Sequence, residues 1–307
     1  MGITGTRPSR RAILGVGAGT ALAAVSTGGR AFASTPNEDE IVGQLQELEK
    51  AHSVRLGVFA HNTATGGTVQ YRADELFPMC SVFKTLAAAA VLHRDKDGEL
   101  LGKRLRYTEE QVRKSGYAPV TGKPENLANG MTVEELCAAT VGQSDNAAAN
   151  LLLRELKGDK GPEAITDFCR SIGDGTTRLD RWEPELNSAE PDRETDTTSP
   201  RAIGETYRKL LLGTALTCRD RDRLKAWLVA NTTNGERFRK GLPADWTLSD
   251  KTGGGKDYGV ANDVGVVWPP HRRPIVLAVL STGLTATAPT DNAVVARTAA
   301  LVRAALA

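Results

Sequence analysis

The stretch KTGGGKDYGVANDVGVVW, residues 251–268, decides between two architectures. A glycine run beside a lysine suggests a phosphate cradle, and that cradle demands a helix after the glycines. Here the glycines are followed by DYGVANDVGVVW, which is rich in Val and reads as a strand. The run therefore sits at a strand end in a hairpin, where glycine lets a ligand approach the backbone and meet its amide donors. Lys251 and Thr252 add a cation and a hydroxyl suited to a carboxylate.

Working outward, residues 246–251, 260–268 and 274–281 read as strands, and 291–306 as a closing helix. At the other end, Ile41, Leu45 and Leu48 mark an amphipathic helix over 37–51. Val54, Leu56 and Val58 alternate as a strand, 62–67 is a turn cluster, and 68–71 returns as the second strand of a hairpin. The middle is helical. Residues 81–92 are Ala-rich and unbroken. Thr132 and Glu135 form a capping box. Residues 144–156 predict another helix, Pro162 opens one running toward Gly173, and Ser199–Pro200 caps one that stops near Gly213. A further helix covers 223–230. Strands at both ends and helices between them predict an α+β fold: an antiparallel sheet from both chain ends (about 37–78 and 231–307), flanking helices, and a central all-α part (about 79–230).

The 307 residues are 40% hydrophobic and 25% charged, with net charge +2, which excludes a strongly basic nucleic-acid binder. Arg10 and Arg11 precede an apolar run over 12–25 and a small-residue site, Ala31-Phe32-Ala33. This reads as a signal peptide over 1–33 of twin-arginine character, too short to span a membrane as a helix, with 34–307 as the catalytic domain. Cys80, Cys137, Cys169 and Cys218 fit no zinc motif or dense disulfide framework, and the four histidines show no metal-ligand spacing, so no metal or cofactor is expected.

Four short stretches carry chemistry. In CSVFK, Ser81 and Lys84 are three apart and share a helix face. Ser81 near the helix start lies in the positive end of the dipole, and a buried Lys84 can shed its proton and act as a base. Taken alone, Ser-x-x-Lys occurs about once by chance in a chain this long. Cys80 is a rival nucleophile, though a small buried side chain is its commoner role. In SDN, Ser144 to Asn146, the hydroxyl can shuttle a proton and the amide can hold a substrate carbonyl or a neighbouring lysine; a plain N-cap explains the same residues. KTGGG is the third stretch and RWEPELN, Arg181 to Asn187, the fourth.

In this order, Ser-x-x-Lys, Ser-Asp-Asn and Lys-Thr-Gly form the motif set of class A β-lactamases and penicillin-binding proteins. From about residue 37 to its end the chain resembles a class A β-lactamase, of actinomycete type. The resemblance implies that Ser81 attacks the lactam carbonyl and that Lys84 helps activate it, lysine and glutamate being alternative acylation bases. The amides of Ser81 and Gly254 would form the oxyanion hole. Ser144 would relay a proton to the lactam nitrogen. Asn146 would meet the substrate's side-chain amide. Lys251, Thr252 and Ser144 would surround the substrate carboxylate, with Arg237 set against it as in some members, Gly253 and Gly254 in the substrate site, and Tyr117 as an aromatic wall at the entrance. Glu183 and Asn187 would hold one water against the acyl-ester. Arg181 and Asp196 would pin the loop ends, Pro184 would follow a cis bond, and Asn150 would tie the loop to the helix behind it.

Two departures stand out. Many enterobacterial members carry a disulfide that needs a cysteine opposite Cys137; by the resemblance that position is Ala88, which implies that Cys137 is unpaired. Gly255 stands where carbapenem-hydrolysing members carry a bridge partner for Cys80, which argues against that spectrum. The expected protein is a secreted, monomeric hydrolase of small-molecule β-lactams with no stable membrane association. An acylated-and-trapped penicillin sensor or a D,D-peptidase shares Ser81, Lys84 and the Lys-Thr-Gly signal, but neither needs Glu183 and Asn187.

Overall fold

The computed structural model describes residues 38–306; the predicted signal peptide lies outside them. Five strands form one antiparallel sheet: β1 (Val54–Asn62), β2 (Thr68–Tyr71), β3 (Thr247–Gly254), β4 (Ala261–Trp268) and β5 (Ile275–Gly283), in the order β2-β1-β5-β4-β3. The two chain ends meet in the β1–β5 pairing, which runs from Val54 opposite Gly283 to Asn62 opposite Ile275. The central strands are buried on both faces, so β5 reads as a continuous apolar run rather than an alternating one.

One face is covered by α1 (Glu38–His52) and the C-terminal helix, which enclose a core of Ile41, Leu45, Val58, Val279 and Val295. The other face packs on the central helices. Among these, α2 (Phe83–Arg94) is buried from Phe83 to Leu92, an all-round apolar helix at the centre of the larger core. Around it lie α3 (Val133–Gly142), α4 (Asn146–Lys157), α5 (Gly161–Ser171), α6 (Pro200–Leu211) and α7 (Cys218–Val229); the C-terminal helix is α8 (Asn292–Leu306).

The capping box at Thr132 and Glu135 forms, and Ser199 caps α6 ahead of Pro200. Three expectations need correction. The helix over 81–92 is broken at its start: Cys80–Val82 is a 3-10 turn and the α-helix begins at Phe83. The helix expected over 144–156 starts at Asn146: Asp145 caps it, accepting the Ala148 amide at 2.8 Å, and Ser144, whose alternative reading was the cap, takes a left-handed φ of 57°. Helix α7 begins at Cys218, five residues early, because Thr217 caps it.

Candidate active site

Strand β3 ends against the turn that carries Ser81, and the helical part closes over it. The cavity between them has a volume of about 310 Å³ and is lined by Ser81, Tyr117, Ser144, Asn146, Asn187, Thr233, Arg237, Thr252, Gly253 and Gly254. Gly253 serves a different need from the one its sequence suggested. A Cβ there would stand 2.8 Å from Met79 O and 3.0 Å from Val82 Cγ2, so the glycine lets the strand approach the nucleophile turn.

Lys84 is completely buried beneath Ser81. Its ammonium donates to Asn146 Oδ1 at 2.5 Å, to Ser144 O at 2.8 Å and to Ser144 Oγ at 3.3 Å, and pairs with Glu183 Oε1 at 3.0 Å. Burial pushes its pKa below the usual lysine range, against the opposing pull of Glu183. Ser81 Oγ lies 3.5 Å from the same Glu183 oxygen. From the sheet side, Lys251 donates to Ser144 Oγ at 3.0 Å and Thr252 O at 2.9 Å. Burial, then repulsion by Lys84, hold Lys251 well below its ordinary value.

Asp145 makes the middle of Ser-Asp-Asn a structural anchor. Its carboxylate accepts the amides of Val120, Thr121 and Ala148, which fixes the strained Ser144 between two lysines. Asn146 Nδ2 donates to Ser115 O at 2.9 Å, so both ends of that side chain are engaged within the protein.

Glu183 is held through its backbone. Asn150 Nδ2 donates to Glu183 O at 2.9 Å and Asn150 Oδ1 accepts the Glu183 amide at 3.0 Å. The Glu183–Pro184 bond is cis. Arg181 Nε donates to Asp196 Oδ2 at 2.6 Å, and Asp196 and Asp180 exchange backbone-to-carboxylate bonds that close the loop neck. Asn187 Nδ2 donates directly to Glu183 Oε2 at 2.5 Å, while Asn187 Oδ1 is buried with no hydrogen-bond partner.

Arg237 donates to Gly253 O at 2.7 Å, Asn262 O at 2.6 Å and Asn292 Oδ1 at 2.7 Å. Tyr117, 59% exposed, stands at the mouth. The sequence reading missed Thr233, whose hydroxyl shares a hydrogen bond with Thr252, and Asn234, which binds Asp250. The polar run NTTN, residues 231–234, was the available signal.

A model described as the β-lactamase enzyme family matches residues 40–306. A β-lactamase of Streptomyces lavendulae is 65% identical over 308 residues, covering 100% of both chains. The chain belongs to the class A serine β-lactamases. The solved β-lactamase of Streptomyces albus G has a TM-score of 0.85 at 59% identity, over 87% of this chain and 99% of that one. An ancestral class A β-lactamase structure gives 0.80 at 51% identity, over 86% and 98%. The carbapenem-hydrolyzing β-lactamase KPC of Klebsiella oxytoca is 49% identical over 249 residues, 81% of this chain and 83% of that one. As in other β-lactamases, the reaction is hydrolysis of β-lactams. Cys80, Cys137 and Cys169 are buried free thiols and Cys218 an exposed one. No helix among the described residues is long and apolar enough to cross a membrane.

Proposed function

We propose that this chain is a secreted serine β-lactamase that hydrolyses penicillins and cephalosporins through an acyl-enzyme on Ser81, conferring resistance to them. The observation that carries the reading is one carboxylate with two engaged oxygens. Glu183 Oε1 faces both Ser81 Oγ and Lys84 Nζ, and Oε2 holds Asn187.

In acylation, Ser81 Oγ attacks the lactam carbonyl and its proton passes into the Glu183–Lys84 pair. The developing oxyanion is received by the Ser81 and Gly254 amides; loss of one such donor costs ~10²–10³ in rate. Ser144, hydrogen-bonded to both lysines, returns a proton to the lactam nitrogen as the C–N bond breaks. Lys251, Thr252 and Arg237 receive the substrate carboxylate, Tyr117 walls the entrance, and Asn146 holds Lys84 in line while facing the substrate side chain.

In deacylation a water attacks the ester, Glu183 takes its proton, and Ser81 leaves with a proton restored. Asn187 Oδ1, a buried acceptor beside Glu183, supplies the second partner such a water needs. A carboxylate suits this base because its free lone pairs can accept a proton from a water within hydrogen-bond reach. A trapped sensor or a D,D-peptidase has no use for this pair. Export rests on Arg10, Arg11 and the apolar run behind them.

The test is Glu183→Gln. Nitrocefin turnover falls by roughly 10²–10⁴-fold, the range of general acid–base catalysis, and intact mass shows an acyl adduct on Ser81. Normal turnover by this variant would remove Glu183 from the mechanism.

A further inference from the structure

Two carboxyl groups beneath the strand wall take no part in the steps above. Asp250 on β3 and Asp263 on β4 are both fully buried. Register sets Asp250 opposite Gly265 and Asp263 opposite Thr252, which makes the two acids diagonal neighbours on one face of the sheet. Burial pushes both carboxyls up, Asp263 further still under the charge of Asp250, so two neighbouring acids in this dry site favour a proton between them. The remaining bonds leave room for that proton. Asp250 accepts Asn234 Nδ2 at 2.8 and 3.0 Å. Asp263 Oδ2 accepts the Phe238 amide at 3.1 Å, and Asp263 Oδ1 is buried with no hydrogen-bond partner.

These bonds grip one short segment at two points. Asn234 and Phe238 bracket Arg237, which lines the cavity, and Lys251 directly follows Asp250. The charged and titratable groups facing the pair are Arg237 and Arg239 from the segment after Asn234, Lys251 from β3, and the Tyr207 phenol from α6. Without a proton the pair would press two like charges together in a dry site. With two protons it would leave Lys251 no counter-charge. One proton leaves a single negative charge under the cations.

We propose that Asp250 and Asp263 share one proton and act as a positioning pair for the substrate-carboxylate pocket, holding the turn around Arg237 and keeping Lys251 protonated. This rests on the reading of Lys251, Thr252 and Arg237 as that pocket, and the experiment separates the two.

Infrared difference spectroscopy of the purified protein reads the proton without substrate. A protonated-carboxyl band persists at neutral pH and disappears in Asp263→Asn; absence of the band in the wild type overturns the shared proton. The pH profile of KM for a penicillin reads the role. In Asp263→Asn the amide donates to Asp250 and its oxygen accepts from Phe238, so one negative charge remains and the alkaline limb of KM stays in place. Asp250→Asn leaves the same charge and must give the same limb. The double variant removes the charge, so Lys251 loses its proton earlier and the limb moves to lower pH, by on the order of one to three units. A limb that stays put in the double variant overturns the positioning role. A displacement between the two single variants does so even where the double variant fails to fold. Unchanged KM in Lys251→Met would instead remove the pocket reading and leave the infrared result standing.

Discussion

The helical wall of the cavity and its strand wall each bury one lysine completely, and the two are built for different work. Both ammonium groups are pushed down by burial, and both touch the Ser144 hydroxyl. Around Lys84 stand a carboxylate at 3.0 Å, an amide oxygen at 2.5 Å and a nucleophile that reaches the same carboxylate. That is a closed circuit in which a proton can leave and return. Lys251 donates to neutral acceptors, Ser144 Oγ and Thr252 O. Among the described residues no carboxylate hydrogen-bonds it, and the Asp250–Asp263 pair acts on it only through space, which leaves its donors for an incoming anion. Under the proposed mechanism the same residue type would move protons on one wall and hold charge on the other because of the oxygens set around it.

The pair of substitutions Lys84→Met and Lys251→Met breaks this comparison most directly. Lys84→Met leaves Glu183 buried without its cation. Turnover of nitrocefin falls by ~10²–10⁴-fold, and stability falls by about 3–5 kcal/mol, as when one partner of a buried pair is removed. Lys251→Met strips no direct carboxylate partner. Its effect appears in KM for an anionic lactam, roughly 10- to 150-fold, the value of a hydrogen bond to a charged group, and Tm does not fall below that of the wild type. Steady-state kinetics and thermal melts of both variants decide it. A larger kcat loss at Lys251, or greater stability in Lys84→Met, would erase the distinction.

Much of this division is readable in the chain, and the rest fails for physical reasons. The strands at both ends follow from hydrophobic runs between turn residues, and the caps at Thr132 and Ser199 from local hydrogen-bond chemistry. The motif lysines and serines were found as residue types at fixed spacing, and the cavity brings them together. The plain-cap alternative for Ser144 fails because the tertiary bonds of Asp145, the actual cap, accompany a left-handed backbone at Ser144. The capping box of Thr108 and Gln111, which opens a helix at Glu109, obeys the same local rule and was overlooked. The two-residue strand Phe77–Pro78 pairs with Thr197–Thr198, far too short to leave a periodic pattern. The Asp250–Asp263 contact depends on strand register, and no local window of sequence contains it.

A smaller effect sharpens the link between the strand wall and the loop that carries the base. A Cβ at Gly255 would stand 2.8 Å from Asn187 O and 3.5 Å from Cys80 Sγ. The first contact is with backbone, so the loop must give way. Gly255→Ala shifts Asn187 away from its bond to Glu183 while leaving both lysines untouched. Single-turnover kinetics then show slower deacylation with acylation preserved. The expected stability loss is about 1–3 kcal/mol, typical of overpacking. Equal slowing of both steps would mean that the disturbance reaches the lysines as well.

The smallest expected change in turnover concerns two adjacent residues that chemistry alone ranks the wrong way round. Thiolate is a better nucleophile than hydroxyl, and Cys80 stands next to Ser81. Cys80, however, is wholly buried, packed with Ala189, Val260 and Tyr258 behind the cavity. Burial and the charge of Glu183 push its thiol up, which keeps it protonated. Ser81 lines the cavity and Cys80 does not. Cys80→Ser therefore keeps nitrocefin turnover within about twofold and loses roughly 1–3 kcal/mol of stability through a buried hydroxyl. Ser81→Ala, measured beside it, loses turnover and the covalent adduct together. Adduct formation surviving Ser81→Ala but not Cys80→Ser would transfer the nucleophile to the sulfur and undo the circuit drawn around Lys84.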